Sequence, residues 1–484
     1  MRRLFTIVPA ALLSFCLFAQ EQTTPPAPAE PREARLPKPV EKTLPNGLRV
    51  IVVPRHETPL VAARLMVKAG GAADTKALPG LAYMTAAVLT KGTSSRSAEE
   101  IALGVEALGA TLEAGAGWDS STVDVSVMAS NLAPAMAFVA DVVRNATFTE
   151  SELDRERQLA LDELQVVLGQ PRSLGSLVMA RLTFGDAPYG HNLAGTPESL
   201  AAITNDALKK FHGTHYRPEK SVLVFAGDVK PEAAFSLAEK LFGSWKRGPR
   251  QPAEAVRAAS KSPAPRIVVV DLPEAGQASV LIGRQGIRRT DSSYMPAMVA
   301  NSVLGGGYSS RLNQEIRIRR GLSYGAGSSY EPRLSIGPFV ARTDTKNESA
   351  AEVAELIVGE IRRLSKETVE GNELAARKAV LIGEFGQSLE TTTGIVNRVS
   401  ALALYALPLA EINRYVSGVQ SVKAEQVRDF ARLSLDTDRM NLVIVGDSKA
   451  FIEPLKKRFE NVEVIPIDDL DLATPTLRTR LQKE

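Results

Sequence analysis

Gly80-Leu81-Ala82-Tyr83-Met84-Thr85-Ala86-Ala87-Val88-Leu89-Thr90-Lys91-Gly92-Thr93 is the stretch from which the fold of this chain can be read. Pro79-Gly80 opens it and Gly92 closes it, and small or apolar residues fill most positions between. That is the composition of a helix buried on nearly every side. Such a helix needs sheets and helices around it, and the flanking sequence supplies both. Upstream, Leu44-Pro45-Asn46-Gly47 is a turn before a strand at Leu48–Val53, and a second β-rich run follows at Val61–Ala69. Downstream, Ser97-Ala98-Glu99-Glu100 is a capping signal for a helix reaching about Leu108. Strands at Ala110–Ala116 and Ser121–Met128 lead to helices at Leu132–Arg144 and Glu150–Leu168. In the second of these, Leu153, Leu159, Leu161, Leu164 and Val167 form the expected buried face. A helical stretch at Leu174–Phe184, a loop at Pro188–His191, helices to Tyr216, a strand at Ser221–Gly227 and a helix at Pro231–Phe242 complete the unit.

The same order then begins again. Arg49-Val50-Ile51-Val52-Val53 matches Arg266-Ile267-Val268-Val269-Val270, and Asp74 and Pro79 match Asp291 and Pro296. Val88-Leu89, Gly92 and Ser94-Ser95-Arg96 match Val303-Leu304, Gly307 and Ser309-Ser310-Arg311, and Val224–Asp228 matches Val443–Asp447. An offset held near ~217 residues is the signature of a tandem duplication. The expected fold is therefore α+β: two duplicated α/β sandwich-like domains, each a mixed sheet covered by helices packed on one face. The boundaries read from the sequence are a signal segment at 1–20, a Pro/Ala-rich tether at 21–41, a first domain at 42–247, a linker at 248–265, a second domain at 266–468 and a tail at 469–484.

Composition sets the remaining limits. With 484 residues, 44% hydrophobic and 23% charged, the chain has enough apolar surface for sizeable cores. A net charge of +3 without a basic, aromatic-interleaved stripe argues against nucleic acid as a partner. Arg2-Arg3, the apolar run Leu4–Phe18 and polar Gln20-Glu21-Gln22 give the order of a secretory signal, with cleavage near Ala19. The mature chain is then expected to be periplasmic or secreted, without a membrane span and without cysteine. The bulky Phe15 before Cys16 disfavours a lipobox.

The Gly80–Thr93 frame, together with a second motif, resembles the pitrilysin/insulinase zinc peptidases, the inverzincins, whose members include the mitochondrial processing peptidase. The second motif runs from Leu304-Gly305-Gly306-Gly307-Tyr308-Ser309-Ser310-Arg311-Leu312 to Arg317 and on to Gly321-Leu322-Ser323-Tyr324. The resemblance spans about residues 42–460. It implies that the metal motif H-x-x-E-H should fall on Tyr83, Ala86 and Ala87, so two ligands and the general base are replaced. Glu163, in the context Glu156-Arg157…Glu163, falls at or near the third-ligand position, and is read as a relic or a helix-surface charge. It also implies that Arg317 and Tyr324 complete the family's active site, the guanidinium bonding substrate backbone and the phenol donating to a developing oxyanion. Gly305–Gly307 either lets backbone approach a bound peptide or forms only a helix cap and turn.

Other chemistry is weakly signalled. His212-x-x-His215 has chelating spacing but no third ligand nearby, and reads as a structural corner. His56 and His191 read as isolated loop residues. No nucleophile-base grouping stands out. The resemblance thus implies a non-catalytic, substrate-binding subunit of a heterodimeric zinc endopeptidase, with no cofactor bound by this chain and zinc carried by a homologous partner. Its ligands would be extended or unfolded peptides held by strand addition at a sheet edge. The alternative is a purely structural or peptide-binding homologue with no role in hydrolysis. An autonomous metallopeptidase would need ligands that the sequence does not show.

Overall fold

The computed structural model describes residues 36–249 and 262–478. The expected signal segment with Cys16, the tether up to residue 35, linker residues 250–261 and the tail beyond 478 lie outside the described residues. The first half runs β1 (Val40–Thr43), β2 (Arg49–Pro54), β3 (Leu60–Val67), α1 (Leu81–Leu89), α2 (Ala98–Glu106), β4 (Thr111–Ala116), β5 (Ser121–Met128) and α3 (Leu132–Asn145). It continues with α4 (Glu150–Leu168), α5 (Pro171–Phe184), α6 (Pro197–Ala202), α7 (Asn205–His215), β6 (Ser221–Gly227) and α8 (Pro231–Phe242). The second half runs β7 (Ile267–Asp271), β8 (Ala278–Gln285), α9 (Tyr294–Leu304), β9 (Ala326–Tyr330), β10 (Pro338–Thr345), α10 (Ala350–Lys366) and α11 (Gly371–Ser388). It closes with α12 (Thr392–Leu404), α13 (Tyr415–Ser421), α14 (Ala424–Ser434), β11 (Asn441–Gly446), α15 (Ile452–Arg458) and β12 (Val462–Pro466).

The duplication appears as two six-stranded mixed sheets, ordered β1-β2-β6-β3-β5-β4 and β12-β7-β11-β8-β10-β9. In each, the two matched strands at the centre pair in parallel, β2 with β6 and β7 with β11. The outer strand on one side comes from opposite ends of the two repeats, because β1 precedes β2 whereas β12 is the last strand of its half.

Helices cover both faces of each sheet, where the sequence led us to expect one. The reason is visible in the central strands. β2 and β6 are continuous hydrophobic runs without alternation, as strands buried on both sides must be. Val50, Val52, Leu223 and Phe225 face the helices of their own half, including α1, α3 and α8. Ile51, Val53, Val222 and Val224 face the other way and join the core of the second half, where α12 lies across β6 and β3. The exchange is reciprocal. Leu174, Val178, Met179 and Leu182 of α5 pack on Val268, Val270, Leu281 and Val445 of the second sheet. Gly175 makes that approach possible, since a Cβ there would lie 2.6 Å from Leu281 Cδ1. Each half thus completes the other's core.

One expected face is corrected. In α4 the buried stripe is Leu153, Ala160 and Leu164, while Leu159 is 49% exposed. The i, i+7, i+11 spacing follows the helical repeat, and Leu159 falls off it. Among the described residues no single helix is long and apolar enough to cross a membrane.

Candidate functional site

The entry to α1 is built by Asp74. Its Oδ2 accepts from Gly80 N and its Oδ1 from Ala82 N, each at 2.8 Å, so two orphan donors of the first turn are satisfied from a preceding loop. The Asp74 carboxylate is fully enclosed, and His191 Nε2 approaches it to 3.4 Å. Its repeat counterpart Asp291 makes a more local contact before α9, where one oxygen, Oδ1, accepts from Ser293 N at 2.9 Å and from the Ser293 hydroxyl at 2.7 Å. Gly80 adopts φ +89°, and a Cβ there would come within 2.8 Å of Gly195, so both the conformation and the close approach require glycine.

α1 lies between β4, α7 and α4. This brings Tyr83 to Glu163: the phenol donates to Glu163 Oε2 at 3.1 Å. Burial, then the Glu163 charge, pushes the Tyr83 pKa up, which keeps the phenol a neutral donor. Ala86 is buried and Ala87 half-buried. Glu156, one α-helical heptad before Glu163, is held by Lys91 at 3.2 Å. The residues that the resemblance aligned with the first and third ligand positions are therefore in contact. The donor set does not fit zinc: a neutral phenol and two alanines leave Glu163 as the one ligand at these positions, where a zinc site needs at least three. Among the described residues no group of three or more His, Cys, Asp or Glu could hold a metal ion.

The histidines have other partners. His212 Nε2 donates to the Val143 carbonyl at 2.8 Å and the ring stacks on Tyr216, with centroids 4.7 Å apart. Burial lowers its pKa. His215 packs on Phe211 at 4.5 Å. His56 and His191 are not isolated. His56 Nδ1 lies 2.6 Å from Asp228 Oδ1, and His191 sits between Asp74 and Trp118. Both partners are remote in sequence, so nothing local signals them.

In the second half, α9 ends at Gly305, and the N–H groups of Gly305 and Gly306 both donate to Asn301 O, at 2.8 and 2.9 Å. A Cβ on Gly305 would lie 2.1 Å from Ser328 N, and that N–H donates to Gly305 O at 3.1 Å. The closeness that glycine permits is thus taken up by the chain's own strand β9. Gly307 has φ +123° and turns the chain towards a π-helical segment, Asn313–Arg319. Glu315 on this segment is neutralised by Arg319 and Arg320 at 2.9 and 2.8 Å, and the Arg320 hydrogen bond holds its carboxyl below the usual range. Arg317 has no carboxylate partner among the described residues. Its guanidinium carbon instead lies 4.9 Å from the Tyr308 ring centroid and 4.8 Å from that of Tyr324. Tyr308 is 64% and Tyr324 91% exposed. They flank the cation at an open cavity of about 840 Å³, which Gly305, Gly307 and β9 also line. The role of Tyr308 was not legible beforehand: it stands in the quoted motif, but only the structure stacks it on Arg317.

The two halves differ at their sheet edges. Gly117 N donates to Ser120 O at the tip of the β4–β5 hairpin, which fixes the alternation of the ladder. By that alternation the backbone groups of Leu112, Ala114 and Ala116 point away from β5 towards the free edge, and no other element bonds to them among the described residues. On β9 the same argument, from Glu331 N to Pro338 O, turns Ala326, Ser328 and Tyr330 outward. There the chain closes its own edge: Ala326 N donates to Asn313 Oδ1 at 3.2 Å and Ser328 N to Gly305 O. Strand addition is therefore open at β4, beside α1, and occupied at β9. The β4–β5 tip is itself clasped to the second half. Asp119 accepts from Tyr189 OH at 2.6 Å and from Leu334 N at 2.9 Å, and the buried Arg333 guanidinium lies 4.7 Å from the rings of both Trp118 and Tyr189.

The structure brings together Tyr83 with Glu163, and Arg317 with Tyr324, but it does not place the two pairs in one cavity. They stand at the two ends of the α4–α5 corner. Glu163 is five helical residues from the end of α4, and Arg172, which lines the Arg317 cavity, is four residues further on, so their Cα atoms are at most about 23 Å apart.

Comparison with known proteins gives the family to which these halves are similar. A family model described as Insulinase (Peptidase family M16) matches residues 49–197, and one described as Peptidase M16 inactive domain matches residues 202–381. A protein of Mycobacterium leprae described as an uncharacterized zinc protease is 29% identical over 419 residues, covering 86% of this chain and 94% of its own. An uncharacterized zinc protease of Bacillus subtilis is 25% identical, covering 84% of this chain and 98% of its own. Among solved structures, a peptidase M16 inactive domain from Pseudomonas fluorescens has a TM-score of 0.79 and 28% identity, covering 84% of this chain and 98% of that one. A protease from Helicobacter pylori, at 21% identity, shares the fold with a TM-score of 0.80 over 85% of this chain and 100% of its own.

Proposed function

The chain belongs to the insulinase (M16) peptidase family, and from that premise we propose that it is the substrate-binding, non-hydrolytic subunit of a two-chain zinc endopeptidase. Zinc would be carried by a homologous partner bearing H-x-x-E-H. The pair would work in the periplasm or outside the cell on extended or unfolded peptides. One observation carries this reading. Arg317 is held between two exposed tyrosines, at an open cavity and with no acidic partner among the described residues, while the neighbouring cations Arg319 and Arg320 are neutralised. A cation without a partner is poor material for stability and good material for a ligand. Its fork can bind peptide carbonyls, and Tyr324 can donate from its hydroxyl to a developing oxyanion.

The peptide itself would add to β4, whose outward N–H and C=O groups at Leu112, Ala114 and Ala116 are open. On the first half, Tyr83 and Glu163 satisfy each other, so in this reading α1 and α4 flank an open edge without supplying the hydrolytic group. Coexpression with a homologue bearing the intact motif should yield a copurifying complex that cleaves unfolded peptides. Arg317→Ala should lower its kcat/KM about 100-fold and Tyr324→Phe about ten-fold, as loss of oxyanion-type donors does. Full activity in both variants would exclude the shared site and leave a structural or peptide-binding homologue.

A further inference from the structure

The charge lining the cavity around Arg317 is almost all of one sign. Arg172 from the first turn of α5, Arg317, Arg342 and Lys346 are its cations, and Asp344 is its one acid. Asp344 is already used, since Arg172 Nε and Nη2 reach its Oδ2 at 2.7 and 2.6 Å. Arg317, Arg342 and Lys346 have no carboxylate within ion-pair distance among the described residues. This contrasts with the chain as a whole, where 58 Lys and Arg stand against 55 Asp and Glu, and with nearby Arg311, Arg319 and Arg320, each paired with a glutamate. Three uncompensated like charges around one concavity repel one another in the free protein, and a ligand of opposite sign relieves that repulsion.

The cations are also spaced. Arg342 and Asp344 lie two apart on β10 and so project from the same face of the sheet, and Lys346 continues that parity just past the strand end. Arg342 and Lys346 are therefore about 13 Å apart along the strand direction, the rise of four extended residues. Both side chains are exposed.

We propose that this cavity selects peptides by negative charge: an extended segment with acidic side chains four residues apart on one face, which meet Arg342 and Lys346 while Arg317 takes the backbone between them. The proposal rests on the peptide-binding reading above and adds the class of substrate.

Fluorescence anisotropy on the full chain tests it with short extended peptides. They share one Ser/Thr/Val background and carry two Glu, two Gln or two Lys residues four positions apart. At low salt the Glu peptide should bind about ten-fold more tightly than the Gln peptide, and the Lys peptide more weakly than either. The difference should shrink towards nothing at about 0.5 M salt. In the double variant Arg342→Glu, Lys346→Glu the order of the Glu and Lys peptides should invert. Arg342→Gln, Lys346→Gln should merely abolish the preference, which keeps the test available if charge reversal disturbs folding. Equal affinity for all three peptides in the natural chain would overturn the charge proposal and leave peptide binding intact. A Glu preference unchanged in both double variants would overturn its assignment to this cavity. Binding of none of the peptides would remove the peptide-binding reading itself.

Discussion

The two halves of this protein descend from one plan and have divided its properties. The first half keeps an open sheet edge at β4 and carries Tyr83, Ala86 and Ala87 on α1, with a phenol satisfying Glu163. The second half keeps a stacked Arg317 beside Tyr324, without a carboxylate partner among the described residues, but has closed its edge, since Gly305 and Asn313 occupy the outward donors of β9. One duplicated architecture can therefore leave a sheet edge open on one repeat and a cluster of cations on the other. The glycines show how. Gly305 lines the cavity around Arg317 and also acts within the fold. It lets α9 reach β9 and seal it.

The contrast breaks first at Arg317. If its lack of an acidic partner among the described residues is functional, Arg317→Ala should cost the proposed two-chain enzyme about 100-fold in kcat/KM and leave the urea midpoint of the isolated chain unchanged. A fall in stability with no change in activity would make Arg317 a packing residue between two tyrosines. Next in size is Gly305→Ala, which forces a methyl to within 2.1 Å of Ser328 N. Overpacking of this kind costs about 1–3 kcal/mol, read as a lower urea midpoint at constant m. An unchanged midpoint would mean that the α9 loop does not seal β9.

The open edge can be tested without disturbing the sheet. The N–H of Ala114 points away from β5, so proline there removes a donor the ladder does not use. Ala114→Pro should weaken binding of an extended peptide about ten-fold while leaving thermal stability nearly unchanged. Undiminished binding would move the docking edge away from β4.

Much of this was legible in sequence because the signals were local or repeated. The matched strands and the Asp74/Asp291 pair needed only the chain itself, while the Arg317/Tyr324 pair came from the family resemblance; Asp74 accepts from Gly80 and Ala82 N at the start of α1, and Asp291 from Ser293 N just before α9. What escaped depends on contacts between the halves. Continuous apolar runs in β2 and β6 say that both faces are buried, but not that α12 and α5 are exchanged to bury them. Likewise, nothing near Trp118 and Asp119 announces Arg333, more than two hundred residues away. His56 and His191 look solitary for the same reason. Strand-edge status also escaped, because it depends on which N–H groups a distant loop happens to occupy.

The smallest effect concerns the first half's own corner and separates structure from chemistry at His212. Burial is the main cause of its lowered pKa, and the nearby Arg217 charge acts in the same direction, while the hydrogen bond to the Val143 carbonyl opposes them. The folded state therefore prefers the neutral ring. Below the ordinary histidine value of about 6.5 the unfolded chain takes up a proton that the folded chain resists. This contribution to stability is complete above that pH and is lost as pH falls towards the lower folded value. His212→Gln can still donate to Val143 O but cannot titrate, so its urea midpoint should fall less between pH 6.5 and 5 than that of the natural chain. Carboxylates that also titrate in acid contribute equally to both proteins and cancel in the difference. Parallel curves would mean that His212 is protonated as easily folded as unfolded, and would reopen the His212/His215 spacing as a solvent-accessible pair.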